Sequence, residues 1–335
     1  DRFNLSISMS SIKAKQTVII TGASKGVGKA CARLFAQKRL NLVLVARNKK
    51  NLDILSEELN LLTEVMVVPM DVKNQSHCSA LVEKVFSKFG SIDILINNAG
   101  YHARGLVENN KFEDLAMMID VNLKAPIVLS RLVLPFMVNK KCAIINVASL
   151  AGRTPIPGSS VYSASKFGLR AFTYSLATEL RGRDIKIAVI SPGPIDTGFI
   201  LDDIDSVSDL TFSQRISTAE NVAKEILNLC KNKRIEKTMP WLSGILTNLT
   251  YLFPKISQFM LPFMENQGRI MDFRRRRSSP TWRSRTSASA TALAGPGWPA
   301  GTPRMSRRSC KGSSRSPQGA ASPRVGRPPT ARASG

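Results

Sequence analysis

The chain has 335 residues, with 48 Lys and Arg against 24 Asp and Glu, a formal net charge of +24. Its 43% hydrophobic content is enough for a sizeable core and excludes a wholly disordered polyelectrolyte, while the basic excess suits an anionic cofactor. The five cysteines lack CxxC spacing, and Cys31, Cys78, Cys142 and Cys230 read as reduced thiols of a cytosolic-type chain.

Residues 1–8 are expected to be a non-native or disordered leader. The chain opens on Asp1, Met9 reads as a native start, and the first eight residues lack the basic and apolar pattern of a signal peptide. Residues 18–20 form a short β-branched run that reads as a buried strand. Gly22-Ala23-Ser24-Lys25-Gly26-Val27-Gly28 follows at once, and residues 29–36 look helical. Strand, glycine turn and helix form the context in which such a loop holds a dinucleotide. Glycines permit a tight turn and close backbone approach to a pyrophosphate, and the helix N-terminus offers open N–H groups and a positive dipole.

The next strand-like run, residues 41–45, ends in Ala46-Arg47-Asn48. An NAD-binding unit usually carries Asp or Glu near this point for the ribose 2′-hydroxyl. Arg47 stands there instead, and Lys25 lies in the glycine loop. Two cations suit a 2′-phosphate, so NADP(H) is favoured over NAD(H).

Four more strand-like runs follow. Residues 65–70 precede Asp71-Val72, residues 92–96 precede Asn97-Asn98-Ala99-Gly100, residues 143–147 precede Ala148-Ser149, and residues 185–190 precede Ser191-Pro192-Gly193. Helical patterns lie between them, among them 79–88 and 112–137. The alternation predicts an α/β fold: one Rossmann-type domain over residues 9–273, with a doubly wound parallel sheet flanked by helices. Ligands of such sheets bind beyond the carboxyl ends of the strands.

Tyr162 and Lys166 stand four residues apart, so a helix places a phenol and an ammonium on one face. A nearby cation favours phenolate, and a phenol tuned toward neutrality can exchange a proton with a carbonyl oxygen. Tyr251 and Lys255 share the spacing, but Pro254 interrupts their turn and no serine-bearing strand precedes them. His77 and His102 are isolated and suggest neither a metal nor a triad; His102 follows Asn97 to Gly100, where it would border the pocket or, as the preferred reading, lie on a surface loop.

These motifs resemble the short-chain dehydrogenase/reductase family over about residues 15–200. Thr21 to Gly28 resembles its TGxxxGxG loop, Asn97 to Gly100 its NNAG segment, and Asp120-Val121-Asn122 the segment with its catalytic asparagine. Ser149, thirteen residues before Tyr162, matches its catalytic serine, and residues 192–197 match its nicotinamide segment. The resemblance implies a catalytic set of Asn122, Ser149, Tyr162 and Lys166. Tyr162 would protonate a carbonyl oxygen as hydride reaches the carbon, Ser149 would orient that oxygen, Lys166 would lower the Tyr162 pKa and hold the nicotinamide ribose, and Asn122 would link Lys166 to solvent. The cofactor site would comprise Gly22, Ser24, Lys25, Gly26, Val27 and Gly28, with Arg47, Asp71 and Val72 toward the adenosine. Asn98, Ala99 and Gly100 would line the path, Pro192, Gly193, Ile195 and Thr197 would meet the nicotinamide, and no metal is required. The expected function is NADP(H)-dependent interconversion of a ketone or aldehyde and an alcohol. A homo-oligomer paired through 112–137 and 160–181 is implied by the same likeness.

Residues 239–264 form an apolar stretch whose one charge is Lys255 and which Pro254 and Pro262 interrupt. Helices packed over the substrate pocket are the preferred reading; an interfacial membrane contact and a bilayer span are the alternatives. The expected location is accordingly cytoplasmic, with membrane association left open. From Arg274 onward there is no Asp, Glu, Ile, Asn or Phe, and thirteen Arg and one Lys carry +14 of the formal charge. This segment is expected to be disordered. Its abrupt change of composition favours a frameshift, read-through or fusion scar over a nucleic-acid-binding arm. Two other functions compete with the enzyme: a catalytically idle dinucleotide-binding sensor or scaffold, and a tail-driven nucleic-acid binder.

Overall fold

The computed structural model describes residues 15–137, 141–197, 216–253 and the single positions 255, 262, 266 and 270. The chain divides into two compact units, Asp1–Trp282 and Arg283–Gly335, and every described residue belongs to the first. The leader and the basic tail lie outside the described residues.

Seven strands and eight α-helices follow one another as β1 (Thr17–Thr21), α1 (Gly26–Gln37), β2 (Asn41–Ala46), α2 (Lys49–Leu59), β3 (Val65–Pro69), α3 (Gln75–Phe89), β4 (Ile94–Asn97), α4 (Phe112–Ile119), α5 (Ala125–Val133), β5 (Cys142–Val147), α6 (Ser160–Glu179), β6 (Ile185–Pro192), α7 (Ala219–Leu229), β7 (Glu236–Met239) and α8 (Trp241–Leu252), counted among the described residues. The sheet order is β3-β2-β1-β4-β5-β6-β7, and every pairing is parallel. The order reverses between β1 and β4, where a crevice opens beyond the strand ends.

The central strands β1, β4 and β5 are buried on both faces, as a sheet covered by helices on each side requires, while the edge strands β3 and β7 are only partly buried. Side chains alternate across the sheet. Val18, Ile20, Leu42 and Leu44 meet α1, α2 and α7 on one side, while Ile19, Val43 and Val45 meet α3, α5 and α6 on the other. Local chemistry fixes several helix starts. The Asn48 side chain accepts from Asn51 N–H (2.9 Å), Asn74 from His77 N–H (3.2 Å) and Thr218 from Asn221 N–H (3.2 Å). Gly90 ends α3 in the left-handed region, at φ +70°.

The helical pattern over 112–137 is not one helix. A five-residue π-helical turn, Asp120–Lys124, separates α4 from α5, and a 3₁₀ turn, Leu134–Phe136, follows. Periodicity cannot distinguish this arrangement from a continuous helix, because a π-turn adds a residue without ending the hydrogen-bonded ladder. Buried side chains lock α6 to the sheet. Asn97 Nδ2 donates to Asn146 Oδ1 (2.9 Å), and Asn146 Nδ2 donates to Thr173 Oγ1 on α6 (2.8 Å). Among the described residues no helix is long and apolar enough to cross a membrane. α8 spans twelve residues and lies against the domain.

Candidate active site

The loop between β1 and α1 is shaped by close approach. Gly22 and Gly26 adopt φ values of +67° and +55°, which favour glycine. A Cβ on Gly28 would stand 2.2 Å from Gly22 O and 2.7 Å from Asn98 Nδ2, so only hydrogen fits. Asn98 closes the loop from the far side. Its Nδ2 donates to Thr21 O (2.9 Å) and Gly22 O (3.3 Å), while Thr21 Oγ1 accepts from the N–H groups of Asn98 (2.9 Å) and Ala99 (3.0 Å). The segments after β1 and β4 thus brace each other across the reversal point. α1 starts with no side-chain cap and no acidic residue in its first turn, the arrangement that suits an anion at its N–H groups.

A cavity of about 690 Å³ runs along the strand ends. At one end it is lined by Gly22, Ser24, Lys25, Gly26, Val27, Arg47, Asp71 and Val72. Asn98, Ala99 and Gly100 form its middle, and Ser149, Tyr162, Lys166, Pro192, Gly193, Ile195 and Thr197 also face it. Of the residues expected from sequence, Gly28 and Asn122 lie behind this lining.

Ser149 leaves β5 in extended conformation and caps the 3₁₀ turn Leu150–Gly152, its Oγ accepting from Ala151 N–H (3.1 Å). It also lies near enough to Tyr162 to oppose the rise of the phenol's pKa. Tyr162 and Lys166 lie on the first turns of α6, both almost fully buried. Burial raises the Tyr162 pKa above its ordinary 10, with Ser149 and the Arg104 charge opposing. Burial brings Lys166 down to about 8. Its Nζ donates to Val147 O (2.9 Å) and stands 5.8 Å from the Tyr162 ring centroid. The expected lowering of the phenol by Lys166 is therefore corrected. Desolvation outweighs the opposing Ser149 and Arg104, and the phenol stays protonated at neutral pH.

Asn122 sits on the π-helical turn, fully buried. Its Nδ2 donates to Tyr101 O (2.8 Å) and Ser165 Oγ (3.1 Å), and its Oδ1 accepts from Tyr101 N–H (2.8 Å). These bonds fix the backbone beyond Gly100, so in this geometry Asn122 braces the loop that begins at Tyr101.

That loop carries a residue misread from sequence. His102 is not a surface-loop residue; it lines the cavity and stacks on Tyr162, with ring centroids 4.0 Å apart and planes 17° from parallel. Its Nε2 lies 3.2 Å from Ser159 Oγ. Burial, with Arg104 and Lys166 nearby, holds its pKa down at about 3, so the ring is neutral. Its position two residues past Gly100 is the one signal that pointed to the site. α8 adds Ser243, Leu246, Thr247 and Thr250 to the lining, as the preferred reading of the apolar stretch expects. Tyr251, the decoy, is half-exposed with its ring against Phe167 (5.4 Å). No disulfide joins the four described cysteines, and no metal-holding cluster of His, Cys, Asp or Glu occurs among the described residues.

Known proteins resemble this chain in sequence and in fold. The sequence profile described as short chain dehydrogenase matches residues 16–204. The chain is 34% identical over 272 residues to the ketoacyl reductase HetN of a Nostoc species, covering 78% of this chain and 92% of that protein. It is 35% identical over 221 residues to the 3-oxoacyl-(acyl-carrier-protein) reductase FabG of Thermotoga maritima, covering 64% and 90%. An alcohol dehydrogenase of the archaeon Thermococcus sibiricus, solved with 5-hydroxy-NADP, superposes with a TM-score of 0.60 at 24% identity over 67% of this chain and 95% of its own, a likeness of fold. With a profile match over more than half its length, a relative alike across nearly the whole of its own, and the seven-stranded parallel sheet behind the cavity, this chain belongs to the short-chain dehydrogenase/reductase family of oxidoreductases.

Proposed function

We propose that the protein is an NADP(H)-dependent reductase of ketones or aldehydes. The observation that carries this reading is one continuous cavity with cations at one end and a buried, protonated phenol at the other. Gly22, Ser24, Lys25, Gly26 and Val27 would hold the pyrophosphate, and Arg47 with Lys25 the 2′-phosphate. Asp71 and Val72 would flank the adenine. Ile195 and Thr197, with Pro192 and Gly193, would meet the nicotinamide. When bound, the cofactor supplies the hydride.

The protein's own groups supply position and a proton. Ser149 faces the cavity beside the phenol and would offer its hydroxyl to the carbonyl oxygen. Tyr162 Oη gives that oxygen its proton, and its raised pKa keeps the proton available at neutral pH. Lys166 sits behind the phenol, with a charge that would meet the ribose hydroxyls. The ketoacyl reductases among the relatives make a 3-oxoacyl-type carbonyl a reasonable first substrate to try.

The test is a panel of ketones and aldehydes with NADPH and with NADH, run on the full chain and on Tyr162→Phe. Turnover should favour NADPH and fall on the order of a thousandfold in the variant, with NADPH binding retained. A folded, NADPH-saturated protein silent across the panel would overturn the reading.

A further inference from the structure

Arg153 follows the turn that Ser149 caps, and its side chain is only 6% exposed. A buried guanidinium requires a carboxylate and filled hydrogen bonds. The carboxylate is Glu236, the first residue of β7, whose side chain is 8% exposed. Glu236 also accepts from Arg170 Nε (2.9 and 3.0 Å) and Tyr174 Oη (2.8 Å) on α6, and from Ser191 Oγ on β6 (2.9 Å). The carboxylate is therefore fixed to the same helix that carries Tyr162 and Lys166.

The rest of the guanidinium is spent on α8. Its Nη2 donates to Gly244 O (3.2 Å) and Asn248 Oδ1 (2.7 Å), and its Nε donates to Thr247 Oγ1 (3.3 Å). Gly244 permits this seat, since a Cβ there would lie 2.3 Å from Thr238 Oγ1. Beyond these bonds, α8 is held by the Thr154–Thr250 hydroxyl pair (3.3 Å), the Tyr251 ring against Phe167 and the half-buried Leu246. Its buried residues are Gly244 and Thr247, while Trp241, Leu242, Ile245 and Leu249 are exposed. A helix that buries no large apolar side chain gains little from the hydrophobic effect.

We propose that Arg153 is a positioning residue that clamps α8 over the cavity as the roof of the substrate pocket and couples that roof to the Ser149 turn. This rests on the reading of the cavity as the carbonyl site. Only a planar fork reaches the carboxylate and three groups of α8 together; a lysine ammonium keeps the charge and loses the fork.

The experiment compares full-length wild type, Arg153→Lys and Asn248→Ala by hydrogen exchange, which needs no substrate. In Arg153→Lys the α8 amides should exchange about tenfold faster, with β5 and α6 within about twofold of wild type. Asn248→Ala, which removes one acceptor and leaves the Glu236 pair intact, should move α8 the same way by about threefold. Unchanged α8 exchange in both variants, or equal acceleration of β5, α6 and α8, overturns the proposal. With NADPH, the KM for 2-decanone should rise about tenfold in Arg153→Lys while kcat changes less than about twofold. A fall in kcat at constant KM also overturns it. If wild type reduces no ketone or aldehyde of the panel, the carbonyl reading fails, and the exchange measurement still decides the clamp.

Discussion

Replacing Glu236 by Gln tests how much of the domain's stability is electrostatic. Burial raises the Glu236 pKa, but hydrogen bonds from Arg170, Arg153 and Tyr174 more than offset this and hold it at about 2 against an ordinary 4.5. The difference corresponds to about 3 kcal/mol at neutral pH. The sign follows from linkage. A depressed carboxylate pKa stabilises the fold fully above the unfolded-state value near 4.5, and that contribution is lost as pH falls toward about 2. At pH 3.5 about 2 kcal/mol should remain. Urea unfolding of wild type and Glu236→Gln, followed by far-UV circular dichroism at pH 7 and pH 3.5, reads both values. The variant should be weaker by about 3 kcal/mol at pH 7, and the gap should narrow by about 1 kcal/mol at pH 3.5. A gap below about 1 kcal/mol at pH 7, or one that does not change with pH, would refute the argument that the carboxylate is held ionised by its buried partners.

Two further outcomes follow from the site. Gly28→Ala forces a methyl group to 2.2 Å from Gly22 O, so NADPH affinity, read by fluorescence titration, should weaken by about 10- to 100-fold; unchanged affinity would remove the loop from the cofactor site. Lys166, held at about 8 by burial, loses its charge as pH rises, so kcat/KM for NADPH-dependent reduction should decline through about pH 8. Lys166→Arg keeps the charge and should carry that decline above about pH 10; a limb that stays in place belongs to another group.

The sheet, the glycine loop and the cavity lining were legible because their signals are local. Apolar, largely β-branched runs of three to six residues, each followed within three residues by a small or polar one, specify strand and turn without reference to the rest of the chain. Tyr162 and Lys166 were legible for the same reason, since a helix repeats every few residues. What escaped depends on partners distant in sequence or on depth. The pKa of Tyr162 is set by burial, which spacing does not report. His102 reaches Tyr162 only because Asn122 pins the backbone of Tyr101, twenty-one residues earlier, from a π-turn that periodicity hides. Arg153 and Asn248 stand ninety-five residues apart, and nothing in either neighbourhood announces the other. The apolar stretch over 239–264 was recognised, and its described helix turns Ser243, Leu246, Thr247 and Thr250 toward the cavity, a more polar face than the composition suggests.

Glu236 and α8 also bear on the order in which a working molecule is completed. Asn122, Ser149, Tyr162 and Lys166 have all left the ribosome before β7 is synthesised. A nascent chain at that stage has six strands and its proton donor, but Arg153 and Arg170 lack their carboxylate and the cavity lacks its roof. The last strand joins at the edge of the sheet, so its docking on β6 brings the counter-charge and the covering helix together. Completion of the edge strand is then the step at which a folded sheet becomes a closed chemical compartment, and a chain ended early keeps every reactive group without the enclosure that would make it selective.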